Sequence, residues 1–134
     1  LGANKSIVID LSPTVASISP TDNQSGVTIG VSISDNISVT FSEPMDTTSV
    51  TTNTGDTSCS GTFQVSSNSF SSCVQMSSSS PSVSNTNKIF TFDPSSNFTD
   101  GTVYKIKITT GVKDGSGNSM SADNTTSTGF TIIK

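Results

Sequence analysis

The chain contains no histidine, no tryptophan and no arginine, and its 134 residues include one tyrosine and one glutamate. Each absence removes a class of function. Without histidine, neither a Ser-His-Asp nor a Cys-His nucleophile can be assembled, and imidazole-ligated metal sites are excluded. All six basic residues are lysine and the formal net charge is −4. A chain without guanidinium groups makes a poor phosphate clamp, so nucleic acid is not an expected partner. With so few aromatic rings able to stack, a broad sugar- or base-binding platform is not expected either. No apolar run reaches the length of a membrane span, so insertion into a bilayer is not expected. The N-terminus lacks the basic-then-apolar pattern of a signal peptide, and the chain reads as a segment of a longer protein.

Apolar residues are also scarce, at 30% of the total, which is low for a globular protein. Serine and threonine fill the gap. Composition alone would allow disorder, but the apolar residues that remain alternate with polar ones, as a half-buried strand requires. The length suits one domain with a real core. Amphipathic helix periodicity is missing throughout, and Ser, Thr, Asn and Gly are poor helix interiors.

Strand patterns recur instead. "ISVTF" places Ile37, Val39 and Phe41 on one face, and "YKIKI" places Tyr104, Ile106 and Ile108 opposite Lys105 and Lys107. "FTF" aims Phe90 and Phe92 one way, and "GFTIIK" does the same with Phe130 and Ile132. Of these, Phe41, Phe90, Phe92, Tyr104, Ile106, Ile108, Phe130 and Ile132 are expected to share one core. Further strands are expected at 15–18, 27–33, 62–65 and 73–76. The run "SSSSPSVSNTN", residues 77–87, is low in complexity and reads as a solvated loop. Short strands separated by Asp, Gly, Pro and Ser turns predict an all-β sandwich.

Cys59 and Cys73 flank a strand-turn-strand pattern. In an acidic, Ser/Thr-rich chain this favours an intramolecular disulfide and an oxidising compartment over two buried thiols. The expected bond closes a hairpin near a sheet edge.

Two loops hold the candidate ligands. "FSEPMD" carries Glu43 and Asp46 around Pro44 and Met45. Paired carboxylates can cleave glycosides when burial tunes them, but a polar turn leaves both solvated and offers no ring to hold a sugar. Proline ends a central ladder, so the segment reads as a corner: Phe41 and Met45 face the core, Ser42 and Asp46 accept from freed amides, and Glu43 sits on the rim. "DGSGNS" offers Asp114, Ser116 and Asn118 at alternate positions, like the start of a calcium loop, without the closing glutamate. Calcium at Glu43, Asp46, Asp114, Ser116 and Asn118 is one reading; a glycine-rich turn in which Asp114 and Asn118 bond their own backbone is the favoured one. No cofactor is otherwise implied. A lysine isopeptide bond would need a buried lysine, and Lys105 and Lys107 should face water. Tyr104 should bury its ring and bond its hydroxyl to a corner carbonyl.

Five segments in order, "PTVASISPTDNQSGV", "ISVTFSEPMDTTSV", "FTFDPSSNFTDGTVYKIKI", "GVKDGSGNSM" and "GFTI", resemble the bacterial Ig-like domain of the SbsA (S-layer) type. The resemblance covers residues 13–133 and implies an Ig-like β-sandwich of about seven to eight antiparallel strands, often found in tandem in bacterial surface and secreted proteins. Residues 13–134 then form the domain, and 1–12 are a linker or an extra edge strand from a preceding module. "CSGTFQVSSNSFSSCVQM" departs from the minimal pattern and leaves mid-domain strand order open. The expected function is a non-catalytic extracellular spacer, display or adhesion unit, monomeric and joined to neighbouring domains of its own polypeptide. The alternative is a module binding a host, cell-wall or carbohydrate ligand, with calcium as a candidate aid. Such a binder should display Phe63, Phe70 or Phe98 in an exposed patch.

Overall fold

A computed structural model of the chain describes residues 11–20, 31–32, 36–78 and 81–133. Among these the chain forms nine strands: β1 Val15–Ser19, β2 Val31–Ser32, β3 Ile37–Phe41, β4 Phe63–Ser66, β5 Ser82–Ser84, β6 Ile89–Phe92, β7 Val103–Ile108, β8 Asn124–Thr125 and β9 Phe130–Ile133. A single 3-10 turn, Thr47–Ser49, is the described helical element. The strands make two sheets. One has the order β1-β3-β6-β5, and the other β2-β9-β7-β4 with β8 also on β7. Pairing is antiparallel except for β2, which runs parallel to β9.

Alternation produces this arrangement directly. In β3, Ile37, Val39 and Phe41 are buried and Ser38 and Thr40 half-buried. Across the ladder Val39 faces Phe90, and Ile37 faces Phe92. The outer face of the same sheet carries Ser38, Thr40, Thr91 and Ile89, with Ser17, Ser19, Ser82 and Ser84 at matching register on the flanking strands. All eight residues expected in the core are buried. Rings join the sheets: Phe63 of β4 stacks on Phe92 of β6, centroids 3.5 Å apart, while Phe98, Tyr104 and Phe130 cluster at 4.7–5.9 Å. Burying each such ring contributes roughly 1.5–3 kcal/mol. Gly129 turns the chain into β9 at φ +87°, where a Cβ would run into the Tyr104 carbonyl.

Four expectations need correction. Ser82–Ser84 is an edge strand, because Val83 pairs opposite Phe90 inside the run expected to be only loop. Residues 73–76 form no ladder strand: Val74 N–H donates to Val65 O and Met76 N–H to Asn53 O, and Met76 bridges to Pro94. Phe63 and Phe98 are core residues, 1% and 4% exposed, since each finds a ring on another element. Lys105 and Lys107 are half-buried, because the loop that follows β4 lies over them. The segment 27–33 lies mostly outside the described residues, as do 1–10.

The ladder registers also fix direction. Val15 opens β1 opposite Phe41, which closes β3. Met45 bridges Asp114, which follows the end of β7, so these termini share one pole. Gly101 N–H, just before β7, donates to Ile132 O of β9 at the other pole. The chain therefore enters β1 at one pole and leaves β9 at the opposite one.

Candidate functional site

The two loops singled out in the sequence, 68 residues apart at Asp46 and Asp114, meet at the entry pole. Pro44 ends the β3 ladder and turns the chain. Asp46 N–H then donates to Lys113 O at 2.9 Å, and Met45, 2% exposed, plugs the corner from inside. Ser42 Oγ accepts from Thr14 N–H at 2.9 Å, tying the start of β1 to this corner.

Asp46 caps the 3-10 turn. Its Oδ1 accepts from the Thr48 hydroxyl at 2.7 Å and from Thr48 N–H at 3.0 Å. Those two bonds, with Lys113 nearby, hold its carboxyl below the ordinary range, against a smaller opposing effect of desolvation.

Asp114 is 1% exposed. Its Oδ1 accepts from Ser116 N–H at 2.9 Å and Asn118 N–H at 2.8 Å, and its Oδ2 from Asn118 Nδ2 at 3.1 Å. Burial pushes its proton affinity up, but the donors of Asn118 and Ser116 and a hydrogen bond with the Glu43 side chain outweigh it. The net shift is downward. Both aspartates thus contribute stability that is fully present above the unfolded carboxylate value of about 3.9 and is lost as pH falls through the lower folded values.

Ser116 and Asn118 point their amides, not their oxygens, at Asp114, so the "DGSGNS" loop is closed on itself as a turn. Glu43, placed on the rim by sequence, is half-buried and touches Asp114. No local signal could have paired these two carboxyls, because the contact exists only once β3 and β7 end at the same pole. Among the described residues no group of three or more Asp, Glu, Cys or His is placed to hold a metal ion.

The disulfide Cys59–Cys73 is formed, with Cα atoms 5.1 Å apart. It does not close a two-stranded hairpin as expected. β4 pairs with β7, and Cys73 N–H donates to Thr57 O at 2.7 Å, so the bond ties the 57–59 loop to the returning chain. The intervening loop folds over the outer face of β7. Ser66 Oγ accepts from the N–H groups of Asn68 and Phe70 and donates to Ser72 O at 2.7 Å. This turn, with Ser69 and Phe70 both at positive φ, sets the Phe70 ring 4.5 Å from Lys107 Nζ. The lysine outer face is thereby covered, a cation–π arrangement the sequence did not suggest. Tyr104 buries its ring as expected, but its hydroxyl accepts from Thr99 N–H at 3.0 Å, an amide where a carbonyl was expected.

At the exit pole a groove of about 240 Å³ is lined by Val74, Gln75, Ser95, Asn97, Phe98 and Tyr104, among others. None of its lining side chains is charged, and it brings no acid–base pair together.

Two packed sheets, a ring-filled core and loops closed by their own hydrogen bonds define a β-sandwich module of the immunoglobulin-like class. A model of the bacterial Ig-like domain matches residues 10–132, and the chain belongs to that family. It is similar to three solved structures of the S-layer protein SbsC. The N-terminal part matches at 22% identity with TM-score 0.58, covering 86% of this chain and 22% of that one. Domains 1–6 match at 21% and 0.56, covering 86% and 13%. The S-layer protein rSbsC(31-844) matches at 20% and 0.56, covering 92% and 14%. At this identity the likeness is one of fold, and this chain spans only 13–22% of those chains. No curated relative matches the chain. No helix among the described residues is long and apolar enough to cross a membrane.

Proposed function

We propose that this chain is a non-catalytic extracellular module that spaces or displays neighbouring domains of a bacterial surface protein, acting as a monomer within its own polypeptide. The observation that carries this reading is the placement of entry and exit at opposite poles of the sandwich. Joined in series, such modules add length along one axis. A surface location is supported by the family, by the S-layer proteins of the same fold and by this chain's disulfide. The surface points the same way: among the described residues the exposed large apolar side chains are Leu11, Val83 and Val103. They lie before β1, on β5 and at the exit-pole start of β7, so they form no single patch of the kind a protein-binding site presents. Adhesion through the exit-pole groove is the second reading.

Small-angle X-ray scattering on fusions of one, two and three copies tests the spacer. Maximum dimension should rise by one constant increment per copy. Arrays that collapse to a compact particle would overturn the reading.

A further inference from the structure

We infer that the module is built to carry tension along the axis joining its entry and exit poles, with both terminal strands loaded in shear and the disulfide limiting how far the opened chain extends. The inference rests on the spacer reading and goes beyond it. β1 begins at the entry pole and runs towards the exit pole, antiparallel to β3 through Val15↔Phe41, Ile18↔Val39 and Ser19↔Ser38. A pull on residues ahead of β1 therefore acts along the strand axis. Every bond of the β1–β3 ladder is strained together, because the inter-strand bonds lie across the direction of sliding. Thr14 adds two further ties to Ser42, one through its N–H and one through its carbonyl.

β9 has the mirror arrangement. It ends at the exit pole and is gripped on both edges: by β7 at Val103↔Thr131 and Tyr104↔Phe130, and by the parallel β2 at Val31↔Ile132 and Ser32↔Ile133. Pulling its end outward slides it between two neighbours. Neither terminal strand can be peeled one bond at a time by a force along the axis, so the barrier to forced opening is that of a whole ladder. Forced unfolding is governed by this barrier, not by equilibrium stability.

The disulfide lies between β3 and β6 in the chain, outside both terminal ladders, and bears no load while they hold. Once they part, it keeps the 14 positions between Cys59 and Cys73 from paying out. At about 3.3–3.6 Å per extended residue, less the 5.1 Å already spanned, this withholds about 40–45 Å.

Single-molecule force spectroscopy on the full chain tests both halves. Handles attached through azide-bearing residues at positions 12 and 134 pull along the axis. Handles at 12 and 116, both at the entry pole, peel the start of β1 sideways. The axial geometry should need several-fold more force to open the same fold at the same loading rate; equal or lower force would overturn the inference. The axial opening should also lengthen by about 40–45 Å when the protein is first reduced, and an unchanged length would show that the disulfide sets no limit on extension. Scattering from linked copies is independent of these forces, so a module that spaces without resisting tension would be recognised as such.

Discussion

β3 and β4 differ by one rule. β3 alternates, with buried Ile37, Val39 and Phe41 separated by half-buried Ser38 and Thr40. β4, Phe-Gln-Val-Ser, is buried at all four positions. Its inner face packs Phe63 and Val65 into the core, as any strand would. Its outer face buries Gln64 and Ser66 beneath the disulfide-tied loop, where Gln64 Nε2 donates to Gly61 O and Ser66 organises the reversal. One strand belongs to an ordinary two-layer sandwich, and the other has a third, polar layer on part of its back. A buried serine and glutamine are tolerated because each is hydrogen-bonded; left unpaired they would destabilise.

The difference can be broken from either side. The core serves both strands, so Phe92→Ala should have the largest effect, about 3–5 kcal/mol, read from the midpoint of a denaturant titration; a loss below about 1 kcal/mol would show that the Phe63–Phe92 stack is not central. Replacing Cys59 and Cys73 together by serine should cost about 3 kcal/mol and raise amide exchange at residues 67–72 while β3 stays protected. Uniform loosening of both strands would contradict a separate third layer. Ser66→Ala removes the acceptor for Asn68 and Phe70, and about 2 kcal/mol should go with it; native-state exchange should locate the loss in the reversal. The smallest change is Phe70→Ala, about 0.5–1 kcal/mol, where the Lys107 side-chain methylenes should lose their upfield proton shift in NMR spectra.

Period-two patterning made β3, β6, β7 and β9 legible, because in each the buried residue types recur at every second position. It also placed Tyr104 in the core, while the missing N–H of Pro44 marked a ladder end. β4 was only half legible: a strand was expected over residues 62–65, but Phe63 was offered as an exposed ring, and nothing in "FQVS" announces that its polar members are buried too. That depends on a loop whose position is set by a disulfide and by Ser66. β5 was missed because Val83 is its only apolar residue, and its strand character comes from pairing with β6. The Glu43–Asp114 contact was illegible for a different reason, being a product of strand direction at the pole. A carboxylate read as solvated in isolation found a partner through topology.

The outer face of the first sheet has a consequence for the conditions in which the module works. At the matched positions of β1, β3, β6 and β5 it presents Ser17, Ser19, Ser38, Thr40, Thr91, Ser82 and Ser84 around Ile89. Hydroxyl groups hold water by hydrogen bonding alone and do not titrate over any pH a cell surface meets. Dissolved salt screens fields between charges, and at these positions there are none to screen. Neither a change of pH nor the screening of charge by salt should therefore alter how this face binds water.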